Sequence, residues 1–275
     1  MKMRIAFLLL VLCGCMACTP TVSNKAQNLL DKATSHYTKG EYHTAKILVD
    51  SIHTQFPREI ALRKQARILM FNIEYQETMR NVMYLDSIIP LIKQQWDSMA
   101  VDYVLLDTTL VEKKTYQHKK LYQQAPTTTL SCEVTELGEL NLISINAANA
   151  RNHVAVKVCA DDVFADTQEV GINNVYNNRF TDLGIQWEYV TFDKTKQGEV
   201  PGFIELYADK TILVRLMGEK SYSYYLPKPT AKAIAASANF ARQTALRKQI
   251  ETEHRKSTEK LSWIKQKLVE EESPY

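Results

Sequence analysis

The hydrophobic period of the chain changes near residue 125, from three-to-four before it to two beyond it. A chain patterned in this way segregates helices from strands and predicts the α+β class, with no alternating strand–helix units. Ala26, Leu29, Leu30, Ala33 and Tyr37 line one helical face, and Lys39-Gly40-Glu41 ends it, with glycine where a helix C-terminus favours a left-handed residue. A second helix runs through Tyr42, Ala45, Leu48, Val49 and Ile52 until Phe56-Pro57 stops it. The same spacing predicts helices over Ile60–Met83, over Leu91–Leu105 after a break at Ile89-Pro90, and over Leu110–Gln124. In that last stretch Lys113, Lys114, Lys119 and Lys120 read as a basic, solvated side.

Past the linker Ala125-Pro126-Thr127-Thr128-Thr129, β-branched and aromatic residues fill seven short stretches. These are Thr129–Val134, Glu139–Ala147, Asn152–Ala160, Gly184–Phe192, Phe203–Ala208, Thr211–Met217 and Lys220–Leu226, divided by Gly, Asn and Pro turn chemistry. They predict an antiparallel sheet, sandwich-like. From Ala231 to Glu271 there is neither glycine nor proline, which predicts one long helix that projects, coiled-coil fashion, or packs back on the N-terminal helices. The expected organisation is a leader over 1–14, a tether over 15–22, a helical domain over 23–125, a β domain over 126–228 and a terminal helix over 229–275.

The first residues carry two positive charges, Lys2 and Arg4, then the apolar run Ile5–Leu12 and Cys13-Gly14-Cys15. That run is about half the roughly 20 residues a spanning helix needs, so it reads as a cleaved signal segment. Leu12-Cys13-Gly14-Cys15 resembles the lipobox of bacterial lipoproteins, with Cys15-Met16-Ala17-Cys18 as a second frame. The resemblance implies acylation, palmitate-type chains included, at Cys15 or secondarily Cys18, and a membrane anchor facing the periplasm or cell exterior. Losing Lys2 and Arg4 takes the formal charge from +3 to +1, which gives no nucleic-acid footprint.

Ala33-x3-Tyr37-x2-Gly40-x-Tyr42-x2-Ala45, with Pro57 beyond, resembles the tetratricopeptide repeat over about residues 26–75. It is most similar to the repeats of envelope lipoproteins such as the helical component of the outer-membrane β-barrel assembly machinery. One register on, Glu74 and Met79 stand where the glycine and the small alanine belong, so the next unit is degenerate. The resemblance implies a helical hairpin and contact with envelope proteins.

Candidate chemistry is sparse. Cys132 and Cys159 either pair as a disulfide or pack as thiols. Asp161, Asp162, Asp166 and His153 fit no metal-binding spacing, and the helical histidines form no metalloprotease pattern. No serine sits in a nucleophile elbow. No cofactor, metal site or catalytic residue is assigned. Tyr222, Tyr224, Trp187, Tyr189 and Tyr207 form the candidate binding surface, extended by the Tyr176–Phe180 loop. The expectation is a non-catalytic envelope lipoprotein acting through protein contact. Glycan or small-ligand binding by the aromatic β region is the alternative, and an enzyme with a dispersed site the third reading.

Overall fold

A computed structural model describes residues 22–108, 113–123 and 127–272. The leader, Cys15 and Cys18 lie outside these residues. The molecule is α+β: helices at the N-terminal end, two antiparallel sheets, and a long C-terminal helix. Among the described residues no helix is long and apolar enough to cross a membrane. The chain divides into two compact units, one of residues Met1–Tyr84 with Arg255–Tyr275 and one of Leu85–His254.

The helical unit contains α1 (Val22–Thr38), α2 (Tyr42–Gln55), the first part of α3 (Ile60–Ala100) and the last part of α6 (Lys228–Glu272). Ala26, Ala33 and Ala45 are fully buried, and side chains of this size let the helices approach closely around Val49, Ile52, Ala66 and Ile73. Gly40 adopts a φ of 78°, and the Glu41 N–H donates to the His36 carbonyl, which satisfies a helix-end acceptor. Tyr37 and Tyr42 meet across the turn with ring centroids 6.0 Å apart. The end of α6 packs on α3: Ile264 is fully buried, Trp263 meets Phe71 edge-on, and Asn81 donates to Ser257 at 2.9 Å. A leucine at Ala45 would overfill this seam. Ala45→Leu is therefore expected to lower stability by about 1–3 kcal/mol, read as a shifted urea midpoint.

In the sheet unit, one sheet runs in the order β1 (Tyr103–Thr108), β2 (Lys113–His118), β3 (Thr129–Thr135), β4 (Leu140–Ala148), β8 (Ile185–Phe192), β7 (Asn177–Asp182). The other runs β10 (Tyr222–Leu226), β9 (Ile212–Gly218), β5 (His153–Ala160), β6 (Val163–Asp166). Alternate residues of both sheets, among them Leu130, Leu142, Phe192, Val156, Val158, Val214 and Leu216, share one core with Ile234 and Phe240 of α6. Phe240 stacks on Tyr103 at 3.9 Å, and the Trp96 indole donates to Thr244 at 2.8 Å.

Several local expectations are corrected. Tyr103–Leu105 and Lys113–His118, each within a stretch expected to be helical, lie in the paired strands β1 and β2; Thr115 and Tyr116 also pair with Thr135 and Val134 of β3, and pairing outweighs local spacing. Among the described residues of the expected helix Leu110–Gln124, only Lys119–Tyr122 is α-helical, as α4. No break falls at Pro90: α3 continues to Ala100, held by buried Leu85 and Trp96 on either side of the lost hydrogen bond. Phe203–Ala208 is not a strand. Val200–Leu206 is helix α5, with Pro201 in its first turn and Val200 and Ile204, one turn apart, fully buried. The Tyr176–Phe180 loop is in large part strand β7.

Candidate functional site

The densest polar cluster of the sheet unit is built around Glu188. In Ile185–Phe192 the glutamate is in phase with Val190 and Phe192, so β8 carries it to the core side, where it is 1% exposed. Its Oε1 accepts the N–H groups of Arg151 at 2.8 Å and Asn152 at 2.7 Å. Its Oε2 accepts the His153 N–H at 3.4 Å and His153 Nδ1 at 2.5 Å. Asn152 turns the chain through a φ of 52°, a conformation asparagine tolerates, and three successive N–H groups converge on one anion. A bulge at His153/Ala155 and Gly218 opposite make room: a Cβ on Gly218 would lie 2.3 Å from the Asn152 carbonyl oxygen.

Burial alone would push the Glu188 carboxyl up. Hydrogen bonds from His153 and the Asn152 and Arg151 N–H groups more than offset it and hold the carboxyl at about 2. An ionised carboxylate only accepts, so His153 Nδ1 carries the hydrogen in this contact. Arg179 of β7 lies beside it, with Nε 3.8 Å from Oε1 and Nη2 donating to the His153 carbonyl at 3.2 Å. With its acceptor positions filled, Glu188 is no general base, and the fully buried His153 ring presents no open face. The pair joins β8 of one sheet to the start of β5 in the other.

The five aromatic residues read as one surface are spread over three elements. Trp187 and Tyr189 form a three-ring cluster with Phe180 of β7, with centroids 6.3 Å apart from Phe180 to Trp187, 5.8 Å from Phe180 to Tyr189 and 6.0 Å from Trp187 to Tyr189, and planes within 29°. Trp187 is only 8% exposed, while Phe180 is 50% exposed. Tyr222 and Tyr224 stack at 6.1 Å on β10, with the Arg151 guanidinium 4.0 Å over Tyr222. The Tyr224 hydroxyl is buried without a partner, and burial pushes its pKa well up. Tyr207 follows α5, against Phe203.

Cys132 and Cys159 are free thiols on different sheets, so the disulfide alternative is not the one the structure holds. Burial pushes the Cys132 thiol up to about 12, which makes it an inert core residue. Among the described residues no group of three or more His, Cys, Asp or Glu is placed to hold a metal. His153 is engaged with Glu188, and Asp161 with Lys210 at 2.6 Å. Sequence reasoning missed Glu188 and took Arg179 only as part of the Tyr176–Phe180 loop. The signal for Glu188 was its core-side phase among Val190 and Phe192.

In comparison with known proteins, the chain matches no family model, no curated protein and no solved structure.

Proposed function

We propose that this chain is an exported, lipid-anchored protein of the cell envelope that works by binding, its protein contacts made by the helical unit. One observation carries the reading. The helical unit buries a core of alanines and aliphatic side chains while leaving large apolar side chains in solvent: Ile47 is 53% exposed, Ile60 78%, Met83 63% and Tyr84 61%. Large apolar side chains held exposed on rigid helices are available for protein contact. The lipobox-like Leu12–Cys15 supports the membrane address, and the repeat-like spacing from Ala33 to Ala45 supports the mode of contact. The aromatic residues weigh less as a single binding face, because Trp187 is buried and Tyr224 half-buried.

A photo-crosslinking amino acid placed in turn at Ile47, Met83, Leu137 and Val163 tests it, all four being exposed. In envelope membranes, discrete protein adducts are expected from positions 47 and 83 and none from 137 and 163, which lie in the sheet unit. Adducts from 137 or 163 alone would move the contact to the sheets and overturn the assignment.

A further inference from the structure

A second contact surface, independent of the helical one, lies at the free edge of the six-stranded sheet. Strand β7 ends that sheet, and among the described residues no strand pairs with its outer side. The two-residue turn Leu183-Gly184, both at positive φ, fixes which of its backbone groups are already used. Asp182, Phe180 and Asn178 exchange hydrogen bonds with Ile185, Trp187 and Tyr189, and the Thr191 N–H continues the alternation by donating to the Tyr176 carbonyl at 2.8 Å. The N–H and carbonyl groups of Arg179 and Thr181 therefore face away from β8, along the open edge.

Natural sheets guard such an edge, and β7 lacks the usual guards. Its residues Asn177–Asp182 include no proline and no lysine, and they pair with β8 without a bulge. Its one cation, Arg179, is turned to the inner face beside Glu188. Asn178, Phe180 and Asp182 alternate onto the opposite face, all three exposed, and Leu183 at the hairpin tip is 94% exposed.

These residues complement a second copy of themselves in one register. Only Arg179 and Thr181 offer edge groups, so two β7 strands related by a two-fold axis must pair these with each other. Arg179 against itself would set Phe180 opposite Asn178, and Thr181 against itself would set Phe180 opposite Asp182. The register between the two pairs Arg179 with Thr181, Phe180 with Phe180, and Asn178 with Asp182, where an amide donates to a carboxylate. It also levels Leu183 of each copy with Asn177 of the other, next to the exposed Tyr176.

We propose that β7 pairs antiparallel with β7 of a second copy in this register, joining the two six-stranded sheets edge to edge. So short an edge buries little area, and the dimer is therefore reversible and grows with concentration.

Sedimentation velocity of the purified full chain over a concentration series tests it. A species of twice the chain mass is expected to increase with concentration. A photo-crosslinking amino acid at Phe180 is expected to give an adduct of that mass, joined within residues 178–182 of the second copy. The same group at Phe164 of β6, likewise exposed, is expected to give none. Thr181→Pro removes an N–H that β8 does not use, where an edge strand tolerates proline, and deletes half of the interchain backbone hydrogen bonds. It is expected to raise the dissociation constant by roughly thirtyfold. Phe180→Lys sets two like charges on the axis and is expected to raise it by roughly tenfold. A chain that stays monomeric at every concentration, a Phe180 adduct joined outside β7, or an undiminished dimer in either variant would each overturn the proposal.

Discussion

Replacing Glu188 with alanine is expected to lower the unfolding free energy by about 3–5 kcal/mol, the cost of stripping one member from a buried charged network. The carboxylate is the acceptor for His153 Nδ1 and for the N–H groups of Arg151, Asn152 and His153, and the alanine leaves all of them buried and unpaired. Glu188→Gln retains one carbonyl oxygen and is expected to fall between. Urea unfolding followed by tryptophan fluorescence measures both. A loss under 1 kcal/mol for the alanine would show that the contact between the sheets does not depend on this residue.

The same residue sets an acid limit. Its carboxyl is held at about 2 against an ordinary 4.5, so its contribution is complete above about pH 4.5 and is lost as pH falls toward 2. The amount is roughly 3 kcal/mol, taken from the size of that depression. The stability gap between the native chain and Glu188→Gln is therefore expected to be constant above pH 5 and to narrow steadily below it. A gap that stays constant down to pH 2.5 would contradict a depressed carboxyl.

Gly138→Ala carries the second large effect. Gly138 sits at a φ of 79°, and a Cβ there would lie 2.3 Å from the Ala245 nitrogen and 2.5 Å from the Ala241 carbonyl oxygen. Backbone atoms in the middle of α6 cannot turn aside as a flexible side chain would. Left-handed strain and overlap together are expected to cost about 2–5 kcal/mol. Gly184→Ala isolates the strain, because Gly184 has the same φ of 79° with nothing within 4 Å of its added Cβ. Its cost is expected near 1–2 kcal/mol. Equal losses at the two positions would mean that α6 yields locally and that the close approach is not tight.

The helical hairpin was legible because α1 and α2 each carry one apolar face and a glycine marks the turn at residue 40. The β1–β2 hairpin was not, since its short segments take their conformation from pairing with β3, distant in sequence. The β7–β8 hairpin was hidden differently. Its two turn residues, Leu183 and Gly184, both take positive φ, at 47° and 79°, and leucine is no signal for a left-handed position. Missing that hairpin also hid the pairing of Phe180 with Trp187 and of Arg179 with Glu188. The core-side phase of Glu188 could be read from alternation, whereas His153 could not, because the bulge before Ala155 shifts it to the phase opposite its apparent one.

Crosslinked capture of the native protein from envelope membranes tests the proposed role, a tethered protein that binds other envelope proteins, most directly, with a Cys15→Ala form in parallel. A discrete set of envelope proteins is expected with the native chain and a reduced yield without the anchor, since tethering raises the effective concentration at the membrane. Recovery of no stable protein partner, or the same yield from a membrane-released Cys15→Ala form, would contradict the account.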